Sequence, residues 1–315
     1  MIRLGLIGAG AWGKRYAETI GRQRGCKLVA VARGTPRPGE PVFGLPVAAS
    51  WRELIARAQG GELDGLIVAT TPEHQAEVVA ACIESTLPVL AEKPLGLKRA
   101  VSSHLLARWF SVPQRAPVLI DYVQLWAPAF VELQRMVQAR GGAEAVRSVV
   151  AQGGSLGPFR GWSSLYDYGS HDLAMLARLL GIAPLELETV QRLTSADPRG
   201  EWVRFGLRWG ETEVSLTLGN GAPEKRRQFQ VTLSNDTVLE YDDLRAHPNK
   251  LTLNGQAVPV ATTLPLDLVV TEFAERVRRF RVSQLAEEPG ESGLRLCGEV
   301  SARLDLLAER ASLAK

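Results

Sequence analysis

The chain of 315 residues is poor in what would specify a stapled, metal-bound or membrane-spanning fold. Its three cysteines, Cys26, Cys82 and Cys297, are odd in number, far apart and without CxxC spacing. Neither a disulfide framework nor a zinc site is expected, and no metal. No apolar run approaches the roughly 18 residues of a membrane span, so no membrane partner is expected. The first strand pattern starts within a few residues of Met1, which leaves no room for a signal peptide, and a cytoplasmic location follows as an expectation. Charge of either sign is not in excess: the formal balance is +3, and basic runs such as Lys225-Arg226-Arg227 are short. Solvated faces explain them better than a nucleic-acid partner does. No repeat and no low-complexity segment stands out. What remains, 45% hydrophobic and 23% charged residues, is ordinary for a soluble globular protein. At about 100 to 200 residues per domain, the length suggests two domains.

The most informative stretch runs from Leu4 to Arg33. Leu4, Leu6 and Ile7 form a short apolar run with little polar alternation, as in a parallel strand covered on both faces. Gly8, Gly10 and Gly13 follow at GxGxxG spacing. The first allows a tight turn, the second lets backbone approach a pyrophosphate, and the third lets helix and strand pack closely. Ala11 and Trp12, between them, belong to the same cradle at a helix N-terminus, where phosphate charge is favoured. Trp12, Tyr16 and Ile20 then make a stripe of helical spacing, and Lys27 to Ala32 reads as the second strand. In such a unit an Asp or Glu about 20 residues past the glycines holds the ribose 2′-hydroxyl. Arg33 stands there instead, with Thr35 and Arg37 on a Pro-rich loop. A guanidinium fork matches phosphate oxygens, so NADP(H) is expected over NAD(H), with NAD(H) second. The plainer alternative is solvated loop arginines, Arg33 at most stacking on adenine.

Further on, Val47-Ala48 reads as a short edge strand, and Ser50 with Glu53 as a capping box for a helix to about Gln59. Asp64 to Thr70 is a buried-strand pattern, Pro72 opens a helix, and Pro88 to Ala91 is a strand that ends at Glu92-Lys93-Pro94. Leu97 to about Phe110 is helical, and Val118 to Tyr122 closes the sheet. Alternation of this kind predicts an α/β, doubly wound parallel sheet of Rossmann type over residues 1–122, the NAD(P)-binding domain. Ligands of such sheets lie beyond the strands' carboxyl ends, where the glycines, Thr70-Thr71-Pro72 and Glu92-Lys93 fall.

Residues 123–315 are expected to form an α+β domain for substrate binding and oligomerisation. Helices are predicted at about Pro128 to Ala139 and Asp167 to Leu180, with a strand at Val146 to Gln152 between them. Alternating stretches follow at Glu201 to Trp209, Glu213 to Leu218, Gln228 to Leu233, Val238 to Tyr241 and Lys250 to Leu253. Pro265 to Arg281 and Gly293 to about Leu313 finish the chain as helices. The sheet should be mixed, largely antiparallel and open-faced, one face on the helices and the other wet or meeting a partner. A homodimer or homotetramer through this sheet is expected, on the reading that Trp202 and Leu207 line its outer face.

Four signals fall in one order: GAGAWG at Gly8, ATTPEH at Ala69, AEKP at Ala91 and DYGSHDL at Asp167. Together they resemble the Gfo/Idh/MocA family (glucose-fructose oxidoreductase, inositol dehydrogenase, rhizopine catabolism) over nearly the whole chain. The resemblance implies hydride transfer between NAD(P) and a hydroxyl or carbonyl carbon, commonly of a sugar or cyclitol, with a small-molecule substrate and no metal.

Such a reaction needs a base for the hydroxyl proton, or an acid in reverse. His171 suits that role, with Asp167 one helical turn earlier to orient it or to grip a substrate hydroxyl. Alternatively they are a surface pair in which Asp167 only caps a helix. Lys93, past a buried strand, can hydrogen-bond the reacting oxygen and offset its developing charge, or else be a snorkelling surface lysine. Lys93, Asp167 and His171 are therefore the expected catalytic group and also substrate contacts, and Lys93 is expected to border the cofactor too. By resemblance, Glu92 faces the nicotinamide ribose, Thr71, Pro72 and His74 form the loop beside the cofactor, and Trp162 lies near the nicotinamide. His74 as a capping-turn residue and Trp162 as a core or rim aromatic are equal alternatives. Tyr122 and Tyr166 are read as substrate contacts or packing residues.

Departures from the family pattern bear on the substrate. Val123-Gln124-Leu125-Trp126 precede Pro128 where members often carry an arginine. Ser163-Ser164-Leu165-Tyr166 replace the usual glycine run, and Ala174 stands at a common aspartate position. A less charged pocket is expected. Alternatives to sugar or cyclitol chemistry are NADPH-dependent imine reduction and a non-catalytic nucleotide-sensing regulator.

Overall fold

The computed structural model describes residues 1–33, 41–283 and 293–313. In chain order the elements begin β1 (Ile2–Ile7), α1 (Ala11–Arg22), β2 (Cys26–Ala32), β3 (Val47–Ala48), α2 (Trp51–Gln59) and β4 (Gly65–Val68). There follow α3 (Pro72–Glu84), β5 (Val89–Glu92), α4 (Arg99–Ser111), β6 (Val118–Asp121), α5 (Pro128–Gln138), β7 (Val146–Ser155) and α6 (Leu165–Leu180). Next come β8 (Leu185–Arg192), β9 (Trp202–Trp209), β10 (Thr212–Asn220), β11 (Arg226–Leu233) and β12 (Val238–Asp242). The last are β13 (Leu251–Leu253), β14 (Gln256–Ala257), α7 (Pro265–Ser283) and α8 (Gly293–Leu313). These elements gather into two compact units.

The first unit takes residues 1–121 and 264–298. Its sheet is parallel, in the order β3-β2-β1-β4-β5-β6, the doubly wound arrangement expected from the sequence. Strands β4, β5 and β6 are buried at every position, so their apolar runs carry no alternation. The capping box before α2 is present: Ser50 Oγ accepts from the Glu53 N–H at 3.3 Å. Its return arm reaches one residue further back, Glu53 Oε2 accepting from the Ala49 N–H at 2.7 Å. Helix α7 packs on α1, where Arg22 donates to Asp267 at 2.7 Å, and on β4, where Phe273 and Val277 meet Gly65. At the N-terminal edge of the sheet the Asp64 carboxylate takes Arg3 and Arg281 together, at 2.7 and 2.6 Å.

The second unit takes residues 122–263 and those from Glu299 on. Its eight-stranded sheet runs β14-β13-β12-β11-β7-β10-β9-β8, with β7 and β10 parallel and every other pair antiparallel. Helices α5 and α6 lie on one face. That face buries Val203, Phe205, Leu207 and Trp209 of β9 beside Val214, Leu216 and Leu218 of β10. Phe130 of α5 meets Phe229 of β11 edge to face at 5.7 Å. The outer face alternates Arg204 and Arg208 with Glu213 and Ser215 on the next strand, and continues through Gln228, Gln230 and Glu240. This corrects the expectation for Trp202 and Leu207, which are only 8% and 1% exposed. Leu207 shares the inward phase of β9, and the Trp202 ring fills the space above Gly154. Among the described residues no helix is long and apolar enough to cross a membrane.

Candidate active site

In the first unit the glycine loop leaves β1 at the carboxyl end of the parallel sheet. Gly8 has φ +105°, and a Cβ there would lie 2.3 Å from the Ala69 carbonyl oxygen. A Cβ on Gly13 would lie 2.0 Å from the Gly8 carbonyl oxygen, so helix and loop touch through backbone alone. Gly10 differs: nothing lies within 4 Å of where its Cβ would be. Gly10 is also the N-cap of α1, which has no side-chain cap and no acidic residue in its first turn. With open space at Gly10 and no side chain on the first N–H groups of α1, the helix dipole is left for an anion, which fits a dinucleotide pyrophosphate. Ala11 opens that turn, and Trp12 carries the Arg15 guanidinium over its ring at 4.6 Å. Arg33 follows β2 half-buried, at the position where an acidic residue would hold a ribose hydroxyl, whereas Thr35 and Arg37 lie outside the described residues.

The next strand end holds Thr70, Thr71, Pro72 and His74. Gln75 Nε2 donates to the Thr70 carbonyl at 2.8 Å, which ties the loop to α3. The Thr71 hydroxyl and His74 Nδ1 are 3.0 Å apart, a contact within the turn that Pro72 opens. Lys93 is half-buried just past β5. Glu92 pairs in register with Asp121 at the end of β6, and both are buried. Tyr16, on the inward stripe of α1, reaches both: its hydroxyl lies 3.0 Å from Glu92 Oε1 and closer still to Asp121 Oδ2. Burial first, then the Asp121 charge, pushes the Glu92 carboxyl well above the usual range. Burial also raises Asp121, to about 6, against the opposing pull of the Tyr16 hydrogen bond and the Lys93 charge.

In the second unit the start of α6 is held by Glu201, at the foot of β9. Its Oε2 accepts from the Ser164 N–H at 2.8 Å and the Ser163 hydroxyl at 2.7 Å. These bonds occupy the capping place with a carboxylate other than Asp167. Asp167 instead pairs with Arg160, Nε to Oδ2 at 3.1 Å, and that guanidinium lies over the Trp162 ring at 5.1 Å. His171 is buried one turn further along the same helix. Ala174, on the next turn, is buried core. The Tyr166 hydroxyl donates to Asp305 of α8 at 2.6 Å; burial and that carboxylate push the phenol's pKa up. Tyr122 is buried. Gln124 accepts from the Tyr241 hydroxyl at 2.5 Å and donates to Asp243 at 3.4 Å, so it belongs to a polar network with Lys250. Among the described residues no group of three His, Cys, Asp or Glu side chains could hold a metal ion.

Four residues of these arrangements escaped sequence reasoning: Tyr16, Asp121, Arg160 and Glu201. Asp121 had a usable signal. The strand patterns at Pro88 to Ala91 and Val118 to Tyr122 each carry a carboxylate at their carboxyl ends, and the structure pairs those ends in parallel register. Arg160 and Glu201 had none, because ordinary loop residues acquire roles only through distant partners.

Residues 2–108 match the sequence model of an oxidoreductase family with an NAD-binding Rossmann fold. Inositol 2-dehydrogenase 1 of Saccharopolyspora erythraea is 29% identical over 145 residues, which cover 44% of this chain and 42% of that protein. The chain spans about half the length of the curated relatives it matches. Among solved structures, one from Magnetospirillum magnetotacticum MS-1, described only as an oxidoreductase, is 30% identical with a TM-score of 0.78. The match covers 96% of this chain and 98% of that one. A variant of a 3-ketoreductase from Actinomadura kijaniata, solved with NADP, shares the fold at a TM-score of 0.73 and 19% identity, covering 98% and 97% of the two chains.

Proposed function

Since the chain belongs to the Gfo/Idh/MocA oxidoreductase family, we propose that it is an NAD(P)-dependent dehydrogenase or reductase acting on a hydroxyl or carbonyl carbon of a cyclitol, sugar or related polyol. The observation that carries this reading is the uncapped N-terminus of α1 beside the open position at Gly10, on the sheet whose β5 ends in Glu92-Lys93. A nicotinamide dinucleotide, when bound, supplies the hydride acceptor or donor. The α1 N–H groups hold its pyrophosphate. Arg33, with Thr35 and Arg37, favours the phosphorylated form, because a guanidinium there pairs with a 2′-phosphate and Arg33 stands where an Asp or Glu would hold a 2′-hydroxyl.

Lys93 donates a hydrogen bond to the reacting oxygen and offsets negative charge as it develops there. His171 takes the hydroxyl proton in oxidation and returns it in reduction, and Asp167 orients the imidazole or grips a neighbouring hydroxyl. The Arg160 guanidinium, 3.1 Å from Asp167 Oδ2, holds that carboxylate in place on the first turn of α6. A cyclitol is the first substrate to try, given the name of the Saccharopolyspora relative.

The test is a panel of cyclitols, sugars, ketones and cyclic imines with each nicotinamide cofactor, followed by nicotinamide absorbance. Turnover of a polyol is the expected result, and turnover of imines alone would replace it with imine reduction. Cofactor binding without turnover of any compound would favour a nucleotide-sensing protein. Fluorescence titration should give tighter NADPH than NADH; the reverse order ends the preference. Lys93→Ala and His171→Ala should each lower kcat/KM about 10²- to 10⁴-fold while leaving the cofactor Kd unchanged. Normal turnover in either variant removes that residue from the catalytic group.

A further inference from the structure

Behind Lys93 lie three buried polar side chains that the reaction scheme above does not use. Tyr16, Glu92 and Asp121 come from α1, β5 and β6, and none is more than 4% exposed. Their hydrogen bonds do not close with ordinary ionisation. The Tyr16 hydroxyl has one proton to donate, yet carboxylate oxygens of both Glu92 and Asp121 lie within its reach. Asp121 Oδ1, buried, has no partner at all if both carboxyls are ionised. Two adjacent buried carboxylates would also repel each other in a poorly screened setting. A single additional proton removes all three difficulties. Placed on Glu92, it makes that carboxyl a donor to Asp121, and Tyr16 donates to Asp121 as well.

We infer that Tyr16, Glu92 and Asp121 hold one carboxyl proton among them and leave one buried negative charge, on Asp121, as the fixed counter-ion that positions the Lys93 ammonium. The charges then balance locally: one neutral acid, one carboxylate and one ammonium, with a neutral phenol joining them. Both carboxyls feel the Lys93 charge, and the Glu92 carboxyl also accepts from the Lys93 backbone N–H. The charged and titratable groups that act on the two carboxyls most strongly are Tyr16, Lys93 and the carboxyls themselves. An ammonium held by a buried anion on a strand end keeps its direction without spending a surface partner, which suits a donor that must meet a reacting oxygen. Tyr16 and Asp121 are thus positioning residues; their weight in turnover rests on Lys93 serving the reaction as proposed above.

Two measurements on the full-length protein test this. Infrared difference spectra at neutral pH, wild type minus Glu92→Gln, should contain the C=O stretch of a protonated carboxylic acid; its absence overturns the shared proton. Competitive acetylation with acetic anhydride, read by mass spectrometry, reports the free-amine fraction of each lysine. Asp121→Asn should raise the Lys93 rate about tenfold relative to Lys14 and Lys98, since losing an adjacent anion destabilises an ammonium by about one pH unit. An unchanged ratio overturns the counter-ion role. Should Asp121→Asn fail to fold, Tyr16→Phe, which removes only the bridging hydroxyl, should shift the infrared band and raise the Lys93 rate; no change in either overturns the cluster. A raised Lys93 rate in Asp121→Asn, together with normal turnover in Lys93→Ala, would uphold the cluster and discard the catalytic reading of Lys93.

Discussion

The Asp64 carboxylate sits at the N-terminal edge of the parallel sheet, with its side chain 2% exposed and guanidinium groups of Arg3 and Arg281 on its oxygens. Burial pushes its pKa up. Hydrogen bonds from the Arg3 side chain and backbone N–H, with the Arg281 charge, outweigh that, and the net shift is down. A folded pKa below the unfolded one stabilises the fold above the unfolded value of about 4, and the gain disappears as pH falls through the folded value. Asp64→Asn should therefore cost about 2 kcal/mol at pH 7 in urea unfolding, less than a fully buried pair because both arginines are partly exposed. The difference from wild type should shrink steadily below about pH 4; a pH-independent cost would show that shape, not charge, matters at this position. Lys93, Asp167 and His171 were legible as candidates because each lies inside a local pattern, a strand end or one turn of helix. The partners of such groups were not, because they are set by tertiary contact. Tyr16 meets Asp121 across 105 positions, and Glu201 caps a helix 37 positions earlier.

At the scale of an element, the turn from β1 into α1 separates folding from binding. Gly13 touches backbone, so Gly13→Ala should cost several kcal/mol, about 3, because a carbonyl 2.0 Å away has no room to yield. Gly10→Ala meets nothing of the protein within 4 Å and keeps a φ of −77° that alanine adopts freely. Its melting temperature should stay near that of wild type while NADPH binding falls at least about tenfold, since the methyl group occupies the approach of the pyrophosphate. Unchanged affinity in Gly10→Ala would remove the dinucleotide from this loop. The glycine pattern was legible because three glycines at two fixed spacings in one turn have few other uses. Strands β4, β5 and β6 were legible because burial on both faces erases alternation. Strand β8 was not: it is an edge strand, exposed at most positions, with a register shift between Leu187 and Thr189 that breaks its period. Helix α7 was visible by its spacing, but its amphipathic stripe does not say which sheet it covers. Arg22 with Asp267, and Phe273 over Gly65, decide that in three dimensions.

For the whole molecule, the outer face of the second sheet bears on assembly. The sequence suggested an apolar lining, and the fold turns Leu207 inward while leaving a row of Thr252, Glu240, Gln230, Val150, Ser215 and Gly206 in register across the strands. Val150 is the large apolar side chain in that row, and it is 37% exposed. Beside it run Arg204, Arg208 and Glu213, charges that two copies related by a twofold axis can present to one another. Self-association through this face, which we propose for the protein in solution, would rest on polar and charged contacts rather than on apolar area. Such contacts are screened by salt, whose Debye length falls to about 3 Å at 1 M. Light scattering should then give a dimeric or tetrameric mass at low ionic strength that declines toward the monomer near 1 M sodium chloride, and Arg208→Glu should alter the salt at which this happens. A monomeric mass at every salt concentration removes the assembly. An oligomer indifferent to salt places it on a different, apolar surface.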